Sequence, residues 1–218
     1  MHQASGIRLL IKQLTCCLVI IFAFGVASRV AADPILSFDP ATGASAAHGD
    51  RSVGWQFNVN TSLTVTGLGW YDDGANGLTV SHTVGIWDPS GNLLASVLIP
   101  AGTAAMLDGQ FRTIAIAPLV LPIAVGYIVG GEDFGANTER LAFDVTQTVD
   151  SRITYFDATF NALPGFARPT MLSVATTGFY GPSFSVSAPS AVPEPATLVL
   201  LGTGLAGVAA RARKRRNK

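Results

Sequence analysis

Apolar and polar residues alternate along much of the central part of the chain. The clearest run is 53–59, in which Val53, Trp55, Phe57 and Val59 are separated by glycine, glutamine and asparagine. Because successive side chains of a strand point to opposite faces, a period of two directs one face to a core and the other to solvent. Residues 33–182 show no sustained apolar period of 3.6 residues. The pattern therefore predicts strands rather than helices.

Glycine, proline, asparagine and aspartate separate the apolar runs and mark turns between the predicted strands. Strands are predicted at 35–38, 53–59, 63–70, 79–87, 93–99, 111–117, 124–129, 141–145, 153–156 and 170–176. Many short strands joined by tight turns are typical of antiparallel β-sandwiches. The predicted fold class is therefore all-β, an antiparallel, jelly-roll-like β-sandwich over 33–182. Residues 183–192, rich in serine, alanine and proline, are predicted to form a linker.

The first 32 residues have the three parts of a secretory signal peptide. Residues 1–13 carry two cations and no acid, residues 14–27 are almost entirely apolar, and small residues end at Ala32. Cleavage is expected after Ala32 or after Ala27, and an uncleaved signal anchor is the alternative. Both cysteines lie in this segment. The mature chain therefore has no disulfide, although it enters a compartment that permits them.

The C-terminal end, 193–218, also has three parts. Pro193, Glu194 and Pro195 come first, followed by an apolar stretch at 196–210 and a tail at 211–218 that contains six cations. As a helix the apolar stretch would be about 22 Å long, at roughly 1.5 Å per residue, which is short for a ~30 Å bilayer core but feasible with local thinning. By the positive-inside rule the basic tail stays in the cytoplasm, so the rest of the chain is exported.

This tripartite ending closely resembles the PEP-CTERM sorting signal of bacterial exported proteins. The resemblance implies recognition by an exosortase, a membrane-embedded transpeptidase-like enzyme, and cleavage near Pro193, Glu194 and Pro195. It also implies transient insertion of 196–210 into the inner membrane of a bacterium with an outer membrane and an exopolysaccharide system. The mature protein would then lie in the cell envelope, on the outer surface or outside the cell. An ordinary single-pass C-terminal anchor is the alternative.

A second resemblance covers 53–129. The elements that carry it are the turn after Trp70 and Tyr71, the strand end at 84–88, the return at 91–94 and the aromatic Phe111. Together they are similar to a β-rich domain of unknown function that often precedes the PEP-CTERM signal. This resemblance implies a sandwich fold and no activity.

The charge of the chain narrows the choice of partners. Residues 33–192 contain five arginines, no lysine and thirteen acidic residues, a formal net charge of −8. Nucleic acid and anionic lipid both bind basic surfaces, so neither is expected as a partner. Without cysteine or lysine, the mature chain has no thiol nucleophile, Schiff-base lysine or cysteine-rich zinc site. His48 and His82 are expected at the surface.

The turn at 72–77 (DDGANG) carries the most plausible binding chemistry. Asp72, Asp73 and Asn76 supply the oxygen ligands that calcium prefers, although the spacing fits no complete EF-hand loop. Tyr71, out of register with Trp70, is expected to be an exposed aromatic residue beside this turn. Trp55 and Trp70 are expected in the core. The sequence defines no metal ligand set, and calcium is its one candidate cofactor.

The sequence therefore predicts a non-enzymatic, exported protein with a structural or adhesive role in an exopolysaccharide or biofilm matrix. A carbohydrate-binding module that uses Tyr71 and the 72–77 turn, with or without calcium, is the alternative. A glycan hydrolase is a third hypothesis, because glycoside hydrolysis needs two carboxylates. Its candidate pairs are Asp72 with Asp73, and Glu132 with Asp133, which are both expected in loops.

Overall fold

A computed structural model describes residues 32–46, 50–133, 140–173 and 178–187. These residues form strands and one short 3-10 turn at Pro40–Thr42. The strands are β1 Ala32–Pro34, β2 Leu36–Asp39, β3 Ala44–Ala46, β4 Arg51–Val59, β5 Leu63–Tyr71, β6 His82–Trp87, β7 Leu93–Ile99, β8 Met106–Asp108, β9 Phe111–Leu121, β10 Ala124–Asp133, β11 Leu141–Phe143, β12 Thr146–Val149, β13 Ile153–Phe160, β14 Met171–Leu172 and β15 Pro182–Ser187. The predicted all-β class is confirmed for this part of the chain.

The strands form two large antiparallel sheets and two small strand pairs. The five-stranded sheet has the order β1-β15-β5-β9-β8, and the six-stranded sheet has the order β14-β13-β4-β10-β6-β7. The small pairs are β3 with β11 and β2 with β12. The chain passes directly from one large sheet to the other five times: between β4 and β5, β5 and β6, β7 and β8, β9 and β10, and β14 and β15. The jelly-roll-like sandwich remains a prediction.

Side chains from the two large sheets share one hydrophobic core. Trp55 on β4 stacks on Phe184 of β15 with ring centroids 5.8 Å apart, and its indole N–H donates to the Pro182 carbonyl at 2.9 Å. Trp55 and Trp70 are both fully buried, as the alternation predicts. Since the described residues contain no cysteine, this aromatic core is a main source of their stability.

The predicted linker was wrong over its first residues. Strand β15 extends to Ser187 and lies between β1 and β5, inside the five-stranded sheet. Phe184 and Val186 are buried in the core, while Ser183 and Ser185 are buried on the alternate positions. The serine-rich composition of this segment predicted a linker, although Phe184 and Val186 keep the period of two that is typical of a strand. Ser185 is accommodated because its hydroxyl donates to the Asp108 carboxylate at 2.5 Å.

Three glycines lie side by side in the six-stranded sheet. Gly130 on β10 pairs with Gly54 on one side and Gly85 on the other. A Cβ atom on Gly130 would come within 2.7 Å of the Pro169 ring, and one on Gly85 within 2.8 Å of the Phe166 ring. The segment that carries Phe166 and Pro169 therefore packs on the sheet where side chains are missing.

Both targeting segments fall largely outside the described residues. This is the case for the predicted signal peptide apart from Ala32, and for the whole of 193–218. Within the described ranges, no helix has the length and apolar character needed to cross a membrane. The predicted membrane segment at 196–210 stays a prediction.

Candidate functional site

The 72–77 turn follows β5 at the end of the five-stranded sheet. The Ala75 amide donates to the Asp72 carbonyl at 3.0 Å, which closes the turn. Gly74, Ala75 and Gly77 all have positive φ angles, of 85°, 57° and 102°. Glycine adopts this left-handed region without the steric cost of a Cβ atom, so the two glycines allow the turn to form.

Asp72 is buried and joined to Arg112 of β9, a partner that the sequence analysis did not identify. The Arg112 Nε donates to the Asp72 carboxylate at 2.7 Å, and the Gly77 amide lies 3.1 and 3.0 Å from its two oxygens. Arg112 also donates to the carbonyls of Ala75 and Ala105, at 3.1 and 3.3 Å. One guanidinium thus ties the turn to β9 and to the segment before β8, and closes the turn from inside.

Tyr71 is not the exposed aromatic residue that the sequence predicts. It is only 2% exposed, and its ring packs against Phe38 and Phe111 at centroid distances of 5.0 and 6.2 Å. Its hydroxyl donates to the Asp73 carboxylate at 3.2 Å. Burial, together with the negative charge of Asp73, raises the pKa of Tyr71 to about 12. A sugar would need an exposed ring face for stacking, and the Tyr71 ring is covered.

Asp73 and Asn76 form the accessible part of the turn. Asp73 is partly exposed, and one carboxylate oxygen lies 3.6 Å from the Nε of Arg140. Asn76 is exposed. Of the four predicted residues, Tyr71 and Asp73 therefore contact each other and Asp72 contacts Arg112, and only Asp73 and Asn76 face solvent.

The geometry bears on the calcium hypothesis through Asp72. Both of its carboxylate oxygens already accept hydrogen bonds, one of them from a guanidinium, so a cation would have to displace Arg112 to bind there. Over the described ranges, no three histidine, cysteine, aspartate or glutamate side chains are grouped as metal ligands. Calcium binding by Asp72, Asp73 and Asn76 stays a prediction, and of these residues Asp73 and Asn76 are the accessible ones.

Glu132 and Asp133, the second acidic pair, were expected in a loop and instead end strand β10. Glu132 is largely buried. Burial raises the pKa of its carboxyl group, the nearby Asp50 raises it further, and His82 acts in the opposite direction. The burial that raises this pKa follows from the fold, because Glu132 lies where strands β4 and β10 pair.

His82 is fully buried, so its expected surface position was wrong. Its ring stacks on Trp70 with centroids 4.0 Å apart, and its Nδ1 lies 2.9 Å from the Glu132 carbonyl oxygen. It shares a strand face with Val84 and Ile86, which are also buried. That parity was visible in the sequence, but the polar neighbours Ser81 and Thr83 suggested solvent. His48 lies outside the described residues.

Comparison with known proteins identifies two parts of the chain. Residues 191–216 match the PEP-CTERM protein-sorting motif, as the sequence analysis expected. This motif indicates an exported, membrane-transiting protein that is targeted to exosortase. The search of curated proteins gave no significant match. Residues 37–180 match a family described as a domain of unknown function, DUF4082. Because this match spans well over half of the sequence, the chain belongs to the DUF4082 family.

Proposed function

We propose that this protein is a non-enzymatic component of the cell envelope or extracellular matrix, and that its β domain is a β-sandwich with a structural or adhesive role. The sorting motif at 191–216 supports delivery to that location. The observation that carries the structural role is the closed 72–77 turn. Its buried carboxylate is occupied by Arg112 and the Gly77 amide rather than turned toward solvent.

Association with exopolysaccharide, as in a biofilm, is the proposed setting. A matrix protein needs a domain that stays folded outside the cell. This domain contains no cysteine and therefore folds without a disulfide. Its net charge of −8 over residues 33–192 favours solubility and repels other acidic polymers. Contact with a neutral glycan is therefore more favourable than contact with an acidic one.

Two alternatives make different predictions at the same turn. A carbohydrate-binding module would rely on Asp73 and Asn76, because Tyr71 and Asp72 are buried. Glycan-array binding that is lost with Asp73→Asn and Asn76→Ala, and kept with the Arg140→Met control, would favour this alternative. A hydrolase would turn over exopolysaccharide and lose that activity in Asp73→Asn or Glu132→Gln.

The sorting step has its own test. Deletion of Pro193, Glu194 and Pro195 is expected to leave an uncleaved form in the inner membrane, because the exosortase signal is removed. Intact-mass spectrometry compares the C-terminus of this variant with that of the wild type in the native host. A matched deletion of residues 188–190, just before the motif, should still be cleaved. Identical mature masses for the wild type and the motif deletion would contradict exosortase processing.

A further inference from the structure

Three exposed aliphatic side chains surround the turn between β9 and β10. Val120 is 61% exposed, Ile123 is 68% exposed and Val125 is 71% exposed. They lie within residues 113–131, a stretch without any charged residue. We call Val120, Ile123 and Val125 the apolar tip.

The apolar tip is held rigidly. The Tyr127 hydroxyl donates to the Pro122 carbonyl at 3.1 Å, and the Ser62 hydroxyl donates to the Leu121 carbonyl at 3.2 Å. The register of β10 on β4 shifts between Ala124 and Tyr127, so that Val125 and Gly126 form a bulge opposite Asn58. Bulges change the direction of a side chain, and here the bulge coincides with the most exposed of the three.

The chain leaves the described domain at the same end. Val186 of β15 pairs with Val65 of β5, and Val65 pairs with Leu119 of β9. Strands in a sheet are about 4.8 Å apart, so Ser187 and Val120, the next residues along β15 and β9, are roughly 10 Å from each other. The 72–77 turn follows the opposite end of β5.

The sorting segment brings this end close to a bilayer. Eight residues, 188–195, lie between Ser187 and Ala196, the first residue of the predicted membrane segment, so nine Cα-to-Cα steps join the two. Even a fully extended chain of nine residues spans only about 30 Å, at 3.3–3.6 Å per residue. The apolar tip of an uncleaved chain is therefore confined to the neighbourhood of the membrane surface.

We infer that the apolar tip is a membrane-contact site that rests on an uncharged phospholipid surface while the sorting segment is still attached. This inference rests on the proposed membrane insertion of 196–210. Three aliphatic side chains are too few for stable binding on their own, since even a single myristoyl chain binds only marginally. Tethering within about 30 Å raises the local concentration of bilayer and makes such a weak contact effective.

The charges near the tip favour zwitterionic lipid over anionic lipid. The turn between β4 and β5, at 60–62, carries no charge. At the turn before β13, Arg152 is paired with Asp150 at 2.8 Å and is therefore not available to a lipid phosphate. Contact at this end would direct the 72–77 turn away from the bilayer and keep the linker and cleavage motif beside it.

The test uses the full chain with Cys16→Ser and Cys17→Ser, reconstituted in phosphatidylcholine vesicles that contain doxyl-labelled lipid. An environment-sensitive fluorophore is attached at Ile123→Cys or, as the matched control, at Asn76→Cys in the opposite turn. Quenching at position 123 is expected to be at least threefold stronger than at position 76. Val120→Ser with Val125→Ser should reduce the quenching at least twofold, whereas Leu98→Ser, at an exposed leucine outside the tip, should not.

Vesicle flotation of a variant that lacks the apolar residues 14–27, so that only 196–210 can insert, separates the two claims. If the chain floats but positions 123 and 76 are quenched equally, the apolar tip does not touch lipid and this inference is overturned, while membrane insertion stands. If the chain does not float, both claims fail. A further outcome is that exosortase cleaves the serine variants more slowly although position 123 is not quenched in vesicles that lack exosortase. In that case the tip contacts the enzyme rather than lipid, which also overturns the inference.

Discussion

Replacement of Arg112 by methionine would test whether the 72–77 turn is closed by a buried ion pair. Arg112→Met keeps much of the apolar stem but removes the guanidinium, which leaves the Asp72 carboxylate buried beside only the Gly77 amide. Removing one partner of a buried pair typically costs about 3–5 kcal/mol. With a urea m-value of about 2 kcal/mol/M, the unfolding midpoint should fall by roughly 2 M.

The assay is urea unfolding of the full chain, followed by the fluorescence of the buried Trp55 and Trp70. Arg140→Met is the matched control, because Arg140 is exposed and only 3.6 Å from Asp73. Such a surface pair contributes about 0–1 kcal/mol. Adding Asp72→Asn to Arg112→Met removes the buried charge and should recover about 2 kcal/mol. Equal effects of the two arginine variants, or no recovery in the double variant, would refute the reasoning.

Three further predictions concern the folded domain. Hydrogen bonds from Arg152 lower the pKa of Asp150, so this pair should stabilise the protein above about pH 4 and lose its effect as the pH falls further. When stability is measured against pH, Asp150→Asn should therefore show a smaller loss of stability in acid than the wild type. Burial raises the pKa of Glu132, so ionisation of its carboxyl group opposes folding as the pH rises. In thermal melting, Glu132→Gln should therefore be more stable than the wild type at pH 7, and this difference should be smaller at pH 4. A Cβ atom on Gly54 would overlap the Val129 carbonyl oxygen, so Gly54→Ala should destabilise the domain by more than about 2 kcal/mol in urea unfolding. An unchanged midpoint would contradict the close approach of β4 and β10.

Strand positions could be predicted well where the apolar period was strong. Residues 93–99 form β7 at the predicted bounds, and the alternation from Val53 to Val59 falls within β4. The misses were short strands with few apolar residues, such as β1 and β3, and β15, whose serines resemble a linker. The sequence did not predict which strands pair with one another. Long-range pairing depends on how the apolar faces meet, and periodicity gives only the direction of each face.

Burial at the candidate site was harder to predict, because a third element covers the outer face of a sheet. Tyr71 alternates with Trp70 and should face solvent in a sheet with one covered face. Instead, Phe38 on β2 packs over Tyr71 and over Phe111, so both faces of β5 are apolar at this end. The isolated Arg112 between Phe111 and the uncharged stretch that follows was the one available signal for a buried ion pair, since a lone charge in an apolar strand needs a partner.

The Arg112–Asp72 pair is better understood as fixing the shape of the turn than as a source of stability. A buried ion pair contributes little over an apolar pair of similar volume, because the desolvation of both charges offsets their attraction. What an apolar pair would not supply is the set of directed hydrogen bonds from Arg112 to the carbonyls of Ala75 and Ala105. These bonds hold two connections in one arrangement at the end of the domain opposite the chain exit. The double variant, Asp72→Asn with Arg112→Met, should therefore remain folded while amide hydrogen exchange in 72–77 becomes faster. Loss of local order without loss of global stability is the result expected of a pair that provides conformational specificity.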